Sequence, residues 1–334
     1  MTASLRRLAL GALIFASACH PHETTSGPAV ARWVYTVRRE PNAPVSDSPA
    51  EEMSKAAHAL EVRAALIGIE GARVIASADE VTVDLPALDD ATAARLAALF
   101  DKRGVLEFIP VADDMAKAKT LADAMTAAVA DTEDEEEAAA VRLETDVWFT
   151  PGTHHENRIP HLASDSRAAL LALLAKIDAN ALLAPLSIGI GEAAPAHGGG
   201  MPHWRTWILD RRAGLLDPRV VRAESQTSRT AMQPQISVEF TEETAKRFAD
   251  LTRKHVGQKL AIVIDGEVES APIIQEAVVN GHATVSMGRD TPKDATDLAV
   301  VLGSGRLPYD IERTAVVDKR TGRKTPSPKP SPGT

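Results

Sequence analysis

The sequence predicts an α+β protein with more than one domain in its 334 residues. Three observations lead there. Short runs rich in Val, Ile and Leu are bounded by Gly, Pro, Asn or Asp, the length and punctuation of strands; Leu260–Ile264 before Asp265-Gly266 is one. Other segments carry apolar residues at helical spacing behind polar caps, as at 241–254. Over residues 33–112 the order is strand, helix, two strands, helix, strand.

The N-terminus lies outside that pattern. Arg6 and Arg7, the apolar run 8–15 and the small residues 16–18 have the layout of a secretory signal peptide, 1–18. The apolar run falls far short of the roughly 20 residues a membrane-spanning helix needs. Cys19, the single cysteine, follows at once in "FASACH", which resembles a bacterial lipobox with Ala16 in the usual Leu position. The resemblance implies cleavage before Cys19 and lipidation of its thiol; a plain signal peptide with an incidental cysteine is the alternative. Residues 19–32 then read as a lipid-anchored tether, polar with Gly and Pro.

Trp33–Arg38 is the first expected strand. Ser48 as N-cap, Pro49 and Glu51 open a helix whose inner face is Met53, Ala56, Ala57, Leu60, Ala64 and Ile67, with Gly68 at its stop. Ala72–Ala76 and Glu80–Leu85 are two strands around the turn 77–79. Val81, Val83 and Leu85 alternate with polar residues, as a half-buried strand requires. Asp89–Lys102 is a second helix and Val105–Val111 a closing strand. This βαββαβ order is that of the ferredoxin-like split βαβ fold.

Residues 113–202 form a stretch of unknown fold, acidic and partly helical. Asp113–Ala140 reads as helix, with the run Glu133–Glu137 as a solvated face or loop; Val141–Phe149 as a strand, Ser164–Ala179 as a helix and Glu192–Met201 as a loop. Residues 203–311 read as a second α+β unit. Arg205–Leu209 and Gln235–Phe240 are strands. Thr241 caps a helix with Glu242 and Glu243 in its first turn, where carboxylates suit the helix dipole. Leu260–Ile264 leads through the Asp265-Gly266 hairpin turn to Val268. Asn280-Gly281 turns into Ala283–Met287, and Thr291-Pro292 opens a last helix ended by Gly303 and Gly305. Residues 312–334, basic and rich in Pro and Ser, are expected to be disordered.

Composition narrows the function. Aromatic residues are 4% of the chain, too few for base-stacking platforms, and the net charge of −9 opposes a phosphate backbone, so no nucleic-acid partner is expected.

The stretch "ISVEFTEETAKRFADLTRKHVGQKLAIVIDGEVESAPIIQEAVVNGHATVSMG", continued by "DLAVVLGSGRLP" at 297–308, resembles the head of the first periplasmic domain of the protein-export subunit SecD. "EVRAALIGIEGARVIASADEVTVDLPALDD" and "GVLEFIPV" resemble the base of the same domain. The resemblance implies a base subdomain over 33–112 and a head over 203–311. It departs from the family at Ala87, Thr244, Gly303 and Arg306. SecD also carries membrane helices for proton coupling, which no stretch here resembles. The resemblance therefore implies an extracytoplasmic binding or folding role and not the motor.

"THHENRIPH" gathers His154, His155 and His161, weak metal candidates because the spacing is not H-E-x-x-H and a loop is expected; His197 and His203 read as loop residues too. "GIGEAA" at 189–194 fits the dinucleotide fingerprint formally, but Pro195 and Gly198–Gly200 forbid the helix that must follow. Asp265 reads as turn chemistry with Gly266, and Asn280 with Gly281. Glu107 is expected to pair with Arg63 or Arg73. No catalytic residue and no cofactor are expected. The leading expectation is a non-enzymatic, lipid-anchored module on the periplasmic side of a membrane, holding unfolded or emerging secreted polypeptides, with the Sec translocon as a neighbour. His20, rather than Asp, after Cys19 favours the outer membrane. The alternatives are a periplasmic metal-dependent hydrolase built on 113–202, or a structural envelope protein.

Overall fold

A computed structural model describes residues 30–38, 49–77, 79–131, 139–193, 203–228, 234–286 and 292–327. The expectations for the signal peptide, Cys19, the Ser48 cap, Glu133–Glu137, Gly198–Gly200, Met287 and Thr291 lie outside these residues.

The base is a five-stranded sheet built from both ends of the described chain. Its strands are β1 (Ala31–Arg38), β2 (Arg73–Ala76), β3 (Glu80–Leu85), β15 (Asp310–Asp318) and β16 (Lys324–Pro326), in the order β16-β15-β1-β3-β2 with every pair antiparallel. Helices α1 (Pro49–Leu66) and α2 (Asp90–Asp101) cover it. Trp33, Tyr35, Val81, Val83 and Leu85 from the strands meet Met53, Leu60, Leu96 and Phe100 from the helices in one core. Gly68 sits at φ 83° where α1 stops, and the Asp89 carboxylate accepts from Thr92 N to cap α2.

The strand order is that of a ferredoxin-like sheet, with one correction. The closing strand is not 105–111. That segment becomes β4 (Leu106–Pro110) in a different sheet, and β15 takes the place beside β1. The tail correction follows from the same fact: 310–318 and 324–326 are paired strands, not disorder. Periodicity could not separate the two assignments. β4 is buried at every position, so it needs sheets or helices on both faces, which a half-covered base sheet does not offer.

The remainder is one inserted body with two sheets. The larger runs β5 (Val141–Phe149), β6 (Glu156–Ser164), β8 (His203–Leu209), β7 (Ser187–Ala193), β13 (Glu267–Ser270), β12 (Leu260–Ile264), β4, β9 (Leu215–Leu216). The smaller is β10 (Val220–Thr227), β11 (Pro234–Phe240), β14 (His282–Ser286). β12 shows how they stack. Leu260, Ile262 and Ile264 face the core shared with Ile236, Val238 and Phe240 of the small sheet, while Ala261 and Val263 face Trp207, Leu209 and Val268 on the other side. Helices α6 (Glu242–Lys254) and α7 (Pro292–Gly303) close the first core through Phe248, Leu251, Ala295 and Leu298. Phe108, Phe240 and Phe248 pack there with ring centroids 4.8–5.7 Å apart. Helices α3 (Met115–Ala130), α4 (Arg167–Lys176) and α5 (Ala179–Leu183) cover the β5–β8 end through Leu121, Met125, Leu170 and Leu183.

Residues 113–202 are thus not a separate insert. β7 lies between β8 and β13 in the middle of the large sheet, so a unit of 203–311 alone would lack four of its strands. Asn280-Gly281 leads into β14, which pairs with β11 rather than with the chain just before it; of the two residues only Gly281, at φ 72°, has positive φ. Glu107 pairs with Arg211 rather than Arg63 or Arg73.

Candidate functional site

β5 ends the large sheet, so one of its edges is unpaired among the described residues. It is nine residues long, and alternation puts Leu143, Val147 and Phe149 on one face. These three are 48, 44 and 58% exposed, which is unusual for large apolar side chains on a strand edge. An edge of this kind offers main-chain donors and acceptors to an added strand, with apolar side chains beside them. A second concave feature, of about 520 Å³, lies where base and inserted body meet, lined by Leu106, Asp217, Arg219, Leu302 and Arg306.

The other face of β5 is polar and partly buried. Register places Glu144 opposite His161 of β6, and β8 beside β6 brings His203 to the same group. Glu144 Oε2 lies 3.3 Å from His203 Nε2 and 3.7 Å from His161 Nε2. Ligand atoms of the three residues all fall within 4.8 Å of one another. Burial pushes the Glu144 carboxyl up, but the hydrogen bond from Arg142 Nε to Oε1, 2.7 Å, and the neighbouring histidines leave it below its ordinary range. His161 is 6% exposed, and burial lowers its pKa to about 4, so the ring is neutral near pH 7. Neither of its nitrogens has a hydrogen-bond partner among the described residues.

Next to this group Asp146 holds two cations. Arg205 Nη2 is 2.9 Å and Lys259 Nζ 2.5 Å from Asp146 Oδ2. Burial pushes the Asp146 carboxyl up, and both cations more than reverse it. Arg205 also lies over the Trp207 ring at 4.6 Å and Lys259 over Trp148 at 4.9 Å. A cavity of about 20 Å³ between them and His161 has room for one water.

Of the sequence candidates, His154 and His155 lie exposed in the β5–β6 turn, and only His161 enters the buried group. His203, expected in a loop, is on β8 and 6% exposed. Glu144 was missed. Asp265 and Gly266 adopt φ 50° and 86°, and Asp265 does more than turn the chain: its carboxylate accepts from Gly104 N and Val105 N, at 3.2 and 2.7 Å. The glycines of "GIGEAA" lie within β7, where they admit close packing: a Cβ on Gly191 would sit 1.9 Å from Val268 O. No helix among the described residues is long and apolar enough to cross a membrane.

Residues 198–309 match the family described as SecDF, P1 head subdomain. The protein translocase subunit SecD of Desulfurispirillum indicum is 44% identical over 107 residues, 32% of this chain and 19% of that protein. The subunit SecDF of Thermus thermophilus is 42% identical over 80 residues, 24% of this chain and 11% of that protein. The chain thus spans a fifth or less of these two relatives' length. Among solved structures, one described as a membrane component SecDF that enhances protein export superposes with a TM-score of 0.50 at 24% identity, over 84% of this chain and 97% of that one. SecDF in its super-membrane-facing form gives 0.51 at 23%, over 86% and 30%. At these identities the structures speak for the fold, and the family model speaks for the head. Together they show that this chain has the fold of a SecD periplasmic domain and that its residues 198–309 match the SecDF P1 head subdomain.

Proposed function

We propose that this chain is an extracytoplasmic binding module for protein export, tethered to a membrane through lipidated Cys19, which holds extended secreted polypeptides and has no motor of its own. The head match at 198–309 carries the reading, and the curated relatives this chain resembles are named translocase subunits. The β5 edge supplies a physical means. A polypeptide emerging from the Sec translocon on the periplasmic side is extended and has unmet main-chain hydrogen bonds. Added beside β5, it would satisfy them, and Leu143, Val147 and Phe149 would take its apolar side chains without strong sequence preference. The acidic run 131–137 just before β5 favours basic segments and makes capture weaken with salt.

The test is a titration of a soluble form of the chain that starts at His20, just after the lipidated Cys19, against a secreted protein in unfolded and folded forms. Binding should be confined to the unfolded form and need no nucleotide. Val147→Lys, which charges the edge without touching the core, should weaken it about 5–10-fold, roughly 1 kcal/mol. Equal or absent binding to both forms would overturn the reading and favour an envelope scaffold. The anchor has its own check: Cys19→Ser should leave the precursor unlipidated and release any mature protein to the soluble fraction of lysed cells, and membrane retention with no lipid mass on Cys19 would exclude the anchor.

A further inference from the structure

We propose that Glu144, His161 and His203 form a binding site for one divalent cation of the zinc class, with three protein ligands and one coordination position open. This stands independently of polypeptide binding.

His161 separates this group from an ordinary surface ion pair. A buried imidazole with no partner on either nitrogen forgoes hydrogen bonds it would have in water, and folded proteins rarely tolerate that without a ligand or a water. Its Nε2 points at Glu144 Oε2 from 3.7 Å, too far for a hydrogen bond. Both separations from Oε2 suit a shared cation instead. In a tetrahedral site with bonds of about 2.0–2.1 Å, ligand atoms lie about 3.3 Å apart. His203 Nε2 is already at 3.3 Å, and a bound ion would draw in His161 Nε2, now 3.7 Å from Oε2, from a group whose ligand atoms lie within 4.8 Å of one another.

Glu144 is held as an outer shell would hold it, while His161 Nδ1 has no partner among the described residues. Arg142 donates to Oε1 of Glu144 and is itself held by Asp165 at 3.0 Å, which leaves Oε2 for the histidines. The part-buried cations on this face, Arg205 and Lys259, are both paired with Asp146. Two imidazoles and one carboxylate suit zinc, copper or nickel and not calcium or magnesium, which prefer oxygen ligands. All three donors sit on paired strands rather than on loops, so the site is largely formed before the metal arrives. Glu144 is about one third exposed, so the open position faces solvent.

The experiment uses the mature chain without an affinity tag, stripped by chelator. Zinc is titrated by calorimetry, and cobalt(II) is followed by the visible absorption of four-coordinate metal. One equivalent should bind. His161→Ala and His203→Ala should each lower affinity about 100-fold or more, and Glu144→Gln about 10–100-fold. The double change His154→Ala, His155→Ala should leave it unaltered. Arg142→Met keeps all three ligands and the buried core, so it reports even where the histidine variants fail to fold; it should weaken binding about 10-fold. No stoichiometric binding by the unaltered chain would overturn the site, as would binding that depends on His154 and His155 instead.

Discussion

Asp84 ties three strands of the base together. It sits on β3 opposite Arg32 of β1, whose Nε and Nη2 donate to it at 2.7 and 3.0 Å, and Lys319, just past β15, donates at 2.7 Å. The hydrogen bond from Arg32 outweighs burial and, with Lys319, lowers its pKa to about 2. A carboxylate with a depressed folded pKa stabilises above its unfolded value, near 3.9, and the effect is lost as pH falls toward 2. Arg32 is 37% exposed, so solvent screening discounts the full shift. Asp84→Asn should therefore cost about 1–2 kcal/mol at pH 7 and almost nothing near pH 2, read by urea unfolding at both; an equal loss at both would assign the effect to packing. Single residues with local chemistry were legible in the sequence. The Thr241 cap, which accepts from Thr244 N, and the positive φ of Asp265 and Gly266 follow from neighbours one to three positions away. The Glu144–His161–His203 group was not, because its members meet only through strand pairing across 59 positions of chain, and no spacing rule encodes a register.

Among elements, β7 explains a motif that looked like something else. Val268 of β13 lies against both of its glycines, beside a parallel bridge between Ile190 and Glu267. At Gly191 the obstacle is a backbone oxygen, which cannot move without its strand; at Gly189 it is chiefly the Leu209 side chain, with Cδ1 2.6 Å away, which can rotate. Gly191→Ala should thus lower stability by about 3 kcal/mol and Gly189→Ala by about 1 kcal/mol, measured by chemical denaturation. Similar losses would show that β13 yields as easily as a side chain. The extent of most elements was readable from caps and turn residues, as α2 and β12 show. Their partners were less so. β4 was assigned to the wrong sheet and β15 to disorder because pairing is decided by what each strand buries after the whole chain folds.

Across the whole molecule, Arg63 of α1 joins base to inserted body. It is fully buried, and burial lowers its pKa to about 10. Its Nη1 donates to Leu99 O at 2.8 Å and Lys102 O at 2.5 Å, Nη2 to Arg103 O and Gly305 O at 3.2 Å, and Nε to Ser304 Oγ at 3.0 Å. These acceptors lie where the chain leaves the base after α2 and where it returns after α7. Arg63→Met should cost about 3–5 kcal/mol, since it strands buried carbonyls at both crossings at once. Loss of a single cooperative unfolding transition in calorimetry would place the damage at the junction; an unchanged melt would show water replacing the guanidinium.

The division of the base between the two ends of the chain also sets a timetable. Val34 on β1 and Thr314 on β15 are hydrogen-bonded neighbours 280 positions apart. At about 5–20 residues per second of synthesis, β1 waits roughly 15–60 s for the strand that covers its edge, while nearly everything between them has already been made. The body in the middle is therefore expected to mature first, leaving β1 open to a passing chaperone or to another copy's β15. Nascent chains halted just before Asp310 should resist protease over 141–286 while being cut within 31–85; protection of both stretches would mean that the base closes without its last strand.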